Sequence, residues 1–193
     1  MRLSAFSISN GMKIVLASPL YPPDIGEPAP YVKELAKRLK DKYSVTIVAY
    51  GHLPEKISGV KIISINKHYP LPLRLIFYTF ALLGASLRAD VIYAQNGASV
   101  ELPLGIVSIL THKPIMVRIG DKLADKKAGS EKLFGRVREF AQKRAKIVIN
   151  DGPKERPEIL PLEKKPVEEI AAYEESWKTH LNKLNTLFEN AGN

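Results

Sequence analysis

Apolar residues along this chain fall into short branched runs separated by longer stretches with a helical repeat. The runs are MKIVLAS (12–18), SVTIVAY (44–50), GVKIISI (59–65), DVIYAQN (90–96), KPIMVRIGD (113–121) and KIVIND (146–151). They are apolar throughout rather than alternating, which predicts strands of a mostly parallel sheet covered on both faces. Between them, PYVKELAKRLKDKY sets Val32, Leu35 and Leu39 on one face of a helix with Pro30 near its first turn. PLRLIFYTFALLGASLR (72–88) has helix length and is apolar nearly all round, ASVELPLGIVSIL (98–110) is a helix weakened by Pro103 and Gly105, and SEKLFGRVREFAQKRA (130–145) is amphipathic. The alternation predicts a doubly wound, Rossmann-like α/β domain over about Met12 to Gly152. The adjacent strands 44–50 and 59–65 are the one break in the rhythm. Ligands of such sheets bind beyond the carboxyl ends of the strands, so the loops to watch begin at Ser18, Gln95, Gly120 and Asn150.

The two ends have a different texture. Residues 1–11, MRLSAFSISNG, read as an extension without the long apolar centre of a signal peptide. Residues 153–166, PKERPEILPLEKKP, carry four prolines and seven charges and read as a strap. From 167 to about 190 one long helix aligns Ile170, Tyr173, Trp177, Leu181, Leu184 and Phe188 at three- and four-residue steps. That stripe must be buried; packing back on the sheet domain is expected, with a helix–helix dimer as the alternative.

Composition narrows the chemistry. At 193 residues and 45% hydrophobic, the chain can build a real core. It has no cysteine, which excludes disulfides and thiolate metal sites, and its four scattered histidines form no H-x-x-x-H pair, so no metal is expected. The formal charge of +9 favours polyanions: nucleic acid, phosphorylated sugars or an anionic membrane surface. The abundance of Lys, Glu, Ile and Pro is like that of a thermophile. Nucleic acid is not the expected partner, because the basic stretches KRLKDK and DKLADKK have little aromatic interleaving. The apolar run Leu75 to Leu87, bracketed by Arg74 and Arg88, falls short of the ~20 residues needed to span a bilayer. Burial in the sandwich is its default, and a surface helix dipping into lipid headgroups is the other reading. The expected location is cytoplasmic, with peripheral contact at a membrane under that second reading.

MKIVLASPLYPPDIGEPAPYVKELAKRLKDKYSVTIVAY, followed by DVIYAQNGASVELPLGIVSILTHKPIMVRIGD, resembles in order and spacing the N-terminal domain of family-4 retaining glycosyltransferases of the GT-B fold. The likeness covers roughly residues 12 to 151, and the helix with Trp177 resembles the last helix of those enzymes, which crosses back onto the first domain. The resemblance implies an acceptor-binding half: a sugar or lipid-linked acceptor, a nucleotide-sugar donor and retention of configuration. Two departures qualify it. The second Rossmann-like domain, which binds most of the donor, has no counterpart here, so the resemblance implies a separate donor-domain chain. The family's glycine pair is Gly26-Glu27 in this sequence, and a carboxylate at that helix start repels a diphosphate. The family's Glu-x7-Glu spacing occurs twice, at Glu131/Glu139 and Glu155/Glu163, neither after a Gly-rich donor loop.

Other chemistry is sparse. There is no Walker loop and no G-x-G-x-x-G, and no cofactor is expected. Ser18 reads as a turn cap rather than a nucleophile. Gln95, Asn96 and Arg118 end strands as candidate contacts to hydroxyls or anions. Gly26, Glu27, Gly120 and Asp121 join them as candidate substrate-binding residues through the resemblance, and no catalytic residue is assigned. Tyr21 and Tyr31 fit either sugar stacking or packing. Two functions follow as expectations: the acceptor half of a glycosyltransferase, inactive alone, or a non-catalytic binding or scaffold protein built on the same fold.

Overall fold

The computed structural model describes residues 11–120, 132–150 and 167–192. Six strands form one sheet: β1 Lys13–Ser18, β2 Ser44–Tyr50, β3 Lys61–Ile65, β4 Val91–Gln95, β5 Ile115–Ile119 and β6 Ile147–Asn150. Their order is β3-β2-β1-β4-β5-β6 and every pairing is parallel. The helices are α1 Pro28–Leu39, α2 Leu71–Ser86, α3 Ala98–Thr111, α4 Lys132–Arg144 and α5 Val167–Gly192. This is the doubly wound layout that the uniformly apolar strands imply. The central strands β4 and β5 are buried at every position, while the edge strand β3 is half-exposed. The break in rhythm between β2 and β3 is a direct crossover without a helix. The expected extension 1–11 and strap 153–166 lie almost wholly outside the described residues.

Each sheet face has its own core. On one, α1 and α5 bury Tyr31, Leu35, Tyr93, Trp177, Leu184 and Phe188 together. On the other, α2 and α3 cover Val15, Val48, Ile92 and Val117 with Tyr78, Leu82, Val100 and Leu104. The two residues that weaken α3 in the sequence are each compensated by a neighbour. Pro103 has no N–H to offer the carbonyl of Ser99 one turn back, and the Tyr50 hydroxyl donates to that carbonyl at 2.9 Å. A Cβ on Gly105 would meet the Phe140 ring at 2.2 Å, so glycine there allows α4 to lie close against α3.

Helix α2 departs from its default. Only Tyr78, Leu82 and Ser86 are fully buried; Ala81, Leu83 and Ala85 are partly buried against the same core, while Leu73, Ile76, Phe77 and Phe80 face outward.

The tail helix α5 packs on the sheet domain. Its buried line is Tyr173, Trp177, His180, Leu184, Phe188 and Ala191; Ile170 and Leu181 are only partly buried. Trp177 is fully buried and stacks on Tyr31 with centroids 5.8 Å apart. Arg38 of α1 grips Glu174 with two hydrogen bonds of 2.7 Å and lies 5.0 Å over the Trp177 ring. That guanidinium holds the Glu174 carboxyl below the usual range. Lys42 pairs with Glu189 at 3.0 Å, and the Tyr43 hydroxyl donates to Asn185 at 3.0 Å. These surface pairs fix orientation more than they stabilise; the buried stripe carries the energy.

Trp177→Ala should therefore lower stability by about 3–5 kcal/mol in denaturant titration. An intact chain whose Trp177 emits at a solvent-like wavelength, or a variant as stable as the parent, would contradict this packing.

Candidate functional site

The strand order reverses direction between β1 and β4. At that point the connections leaving the two strands run to opposite faces of the sheet, the place where doubly wound domains form a ligand crevice at the carboxyl ends of their strands. The β1–α1 loop (19–27) forms one side, and Asn96 and Gly97 after β4 form the other, with Gly120 after β5 next to them.

Local chemistry shapes the β1–α1 loop. The Ser18 hydroxyl donates to the carbonyl of Leu20 at 2.6 Å, so it caps the turn. The amide of Asp24 donates to Tyr21 and that of Ala29 to Gly26, both at 3.1 Å. Asp24 also pairs with Lys67 at 2.7 Å, tying the loop to the segment after β3. Gly26 has φ +148°, and a Cβ there would meet Leu20 Cδ1 at 2.4 Å, so only glycine fits. The next residue, Glu27, is the N-cap of α1 but makes no side-chain cap.

Glu27 instead reaches across the crevice floor. Its Oε1 accepts from Arg118 Nη1 at 3.2 Å. The same nitrogen donates to Gln95 Oε1 at 2.9 Å. Arg118 is fully buried, and its guanidinium lies 3.8 Å over the Tyr31 ring. Gln95 and Arg118 are register partners on β4 and β5, so their side chains leave the same face of the sheet. Asn96, just after β4, is held by the end of β5: its amide donates to the Arg118 carbonyl at 2.9 Å, and its Oδ1 accepts from the Gly120 amide at 3.2 Å. A Cβ on Gly120 would stand 2.6 Å from Arg118 Nη1 and 3.0 Å from Glu27 Oε2.

The structure thus brings together Gly26, Glu27, Gln95, Asn96, Arg118 and Gly120; Asp121 lies outside the described residues. Within the group, Arg118, Gln95 and Asn96 are at most 5% exposed. The cation is turned inward, under the loop, and the carboxylate of Glu27 is turned onto it. The repulsion that a carboxylate at this helix start would exert on a phosphate is therefore set against a guanidinium in contact with it. Tyr21 and Tyr31 are both buried, as packing residues. Burial, with Glu55 nearby, pushes the Tyr21 hydroxyl up to about 12.

Below the crevice lies a polar cluster that periodicity alone does not single out. The Tyr31 hydroxyl is 2.9 Å from that of Tyr93 and 2.8 Å from His180 Nε2. His180 sits three residues after Trp177 on the buried line of α5, and Tyr93 two residues before Gln95 on β4. Glu139 is an exposed helix residue paired with Lys143 at 2.7 Å, which lowers its carboxyl. Among the described residues no three His, Asp or Glu side chains converge as a metal site.

No protein-family model and no curated protein matches the sequence. Among solved structures, Anabaena HepE in complex with UDP aligns at 21% identity over 71% of this chain and 37% of its own, with a TM-score of 0.48. HepE with UDP and glucose aligns to the same extent. The C-terminal domain of the coenzyme A biosynthesis bifunctional protein CoaBC aligns at 12% identity over 93% of this chain and 99% of its own, with a TM-score of 0.47. The chain thus spans well under half the length of HepE. Doubly wound domains host many unrelated chemistries, and likeness at this level assigns none of them.

The ion pair makes a definite prediction. Arg118→Met should cost about 3–5 kcal/mol, because it strips a partner from a largely buried carboxylate. The double variant Arg118→Met/Glu27→Gln should lose less than the two single variants summed. Strict additivity in a denaturation cycle would show that the pair is not coupled.

Proposed function

We propose that this chain is the acceptor-binding half of a nucleotide-sugar-dependent retaining glycosyltransferase, inactive alone, with its donor half supplied by another polypeptide. The observation that supports it best is the crevice at the switch point, floored by Gln95, Asn96 and Gly120 and roofed by the Gly26–Glu27 turn. The Gln95 carboxamide nitrogen, which makes no hydrogen bond to the described residues, is a donor that suits a hydroxyl group. The Asn96 carboxamide, held through its oxygen by the Gly120 amide, is oriented before any ligand arrives, and such preorganisation is what a positioning site supplies. The Glu27–Arg118 pair leaves little attraction for a diphosphate, which fits a half that holds the acceptor and leaves the donor to its partner.

That same pair favours a second reading: a non-catalytic binding protein on the inherited fold, in which the ion pair serves structure only.

A glycan-binding screen together with a transfer assay separates the two. The purified chain should retain at least one neutral glycan or glycolipid headgroup, lose it on Asn96→Ala, and transfer no sugar from any nucleotide-sugar donor. Turnover by the chain alone would refute the half-enzyme proposal. Retention unchanged in Asn96→Ala would place the acceptor outside the crevice, and no retention at all would favour the scaffold.

A further inference from the structure

The opposite ends of the same strands carry a second surface. Residues Lys13, Ser44 and Lys61 open β1, β2 and β3, and with Val15, Ile63 and Phe80 they line a groove of about 520 Å³ between the sheet and the second half of α2. Ala81, Ala85 and Arg88 also face it. The outer side of α2 continues the apolar surface away from the groove. Leu73, Ile76, Phe77 and Phe80, with Leu87 just past the helix end, are each between 43% and 67% exposed, at helical spacing along one side. Helix α3, packed beside α2, adds exposed Ile106, Ile109 and Leu110. A contiguous apolar face of this kind on a globular domain marks an interaction surface.

The charge around it identifies the occupant. From Lys56 to Ala89 the chain carries three lysines and two arginines and no carboxylate, and from Glu101 to Gly120 none beyond buried Glu101 itself. Lys61 and Arg88 lie at the groove with no ion pair among the described residues; the nearest acid in sequence, Asp90, accepts the backbone amide of Lys13 at 2.7 Å. A second copy would bring two cationic rims together, which like-charge repulsion disfavours. An apolar stripe with a mainly cationic border, whose nearest carboxylate, Asp90, is engaged by the Lys13 amide, is the pattern of a helix that lies in an anionic bilayer surface. No helix among the described residues is long and apolar enough to cross a membrane. We propose that α2 seats this chain on an anionic lipid surface, its outer stripe among the acyl chains and Lys13, Lys61 and Arg88 at the headgroup phosphates. The crevice takes no part, since it lies at the other ends of the strands.

Flotation of the full chain with phosphatidylcholine vesicles, with and without phosphatidylglycerol, tests this. Binding to the anionic vesicles should be at least about tenfold tighter and weaken as salt is raised. Phe80→Ser/Leu87→Ser should reduce it at least about tenfold, and Lys61→Glu/Arg88→Glu should abolish the preference for anionic lipid. All four side chains are exposed or line the groove, and thermal melting checks that each variant folds. Gly84→Asp is a second route: a Cβ at Gly84 meets nothing within 4 Å, so it sets a carboxylate on the groove without a clash and should give the same loss. No vesicle binding, equal binding to both compositions, or folded variants that bind like the parent would overturn the proposal. So would a dimer of the parent chain that Phe80→Ser/Leu87→Ser converts to monomer without any vesicle binding, which would assign the face to a second copy.

Discussion

A fully buried guanidinium is the constraint around which the rest of this structure is arranged. An arginine out of reach of water costs several kcal/mol unless its charge and its N–H groups are met by protein. Arg118 meets Glu27, Gln95 and the face of Tyr31. Each of those contacts fixes a different part of the fold. Glu27 draws the start of α1 over the end of β5, Gln95 locks the ends of β4 and β5 together, and Tyr31 carries the contact down to Trp177 and His180 of α5. Through Tyr31 the buried charge at the switch point and the apolar stripe of the tail helix share one core.

The arrangement also sorts the chain's positive charge. At the carboxyl ends of the strands the central cation is internal and paired. At the amino ends, Lys61 and Arg88 are exposed beside an apolar face. In the two proposals made above, the crevice takes neutral, hydroxyl-bearing ligands and the opposite end meets an anionic surface. Under the proposed function this division has a use: one end positions an acceptor, and the other places the protein where a lipid-linked acceptor is found.

The fold was legible because its signal is local. Branched apolar runs of strand length, separated by amphipathic helices, have few solutions other than a parallel sheet with two covered faces, and the Trp177 stripe had to find a surface. The positions of Gln95, Asn96 and Gly120 at one end of the sheet followed from the same reasoning. What could not be read was direction and pairing. A strand-end arginine reads as a solvent-facing anion contact until the glutamate far away in sequence that covers it is known. Glu27 likewise reads as a repulsive charge until its partner is seen. The outward face of α2 was hidden for the opposite reason: a helix apolar all round has little amphipathic pattern, so periodicity does not tell which side meets the sheet. His180 was masked by the apolar residues around it.

Under the proposed function, Arg118 is engaged by Glu27, Gln95 and Tyr31, so that the crevice takes hydroxyl-bearing ligands rather than anions. Amide NMR on the labelled chain tests it directly, with a neutral glycoside and inorganic pyrophosphate added at matched concentrations. The account predicts that the glycoside shifts the amides of Gly26, Asn96, Gly97 and Gly120 while pyrophosphate leaves them in place. Saturable shifts of those amides by pyrophosphate, with none from the glycoside, would contradict it.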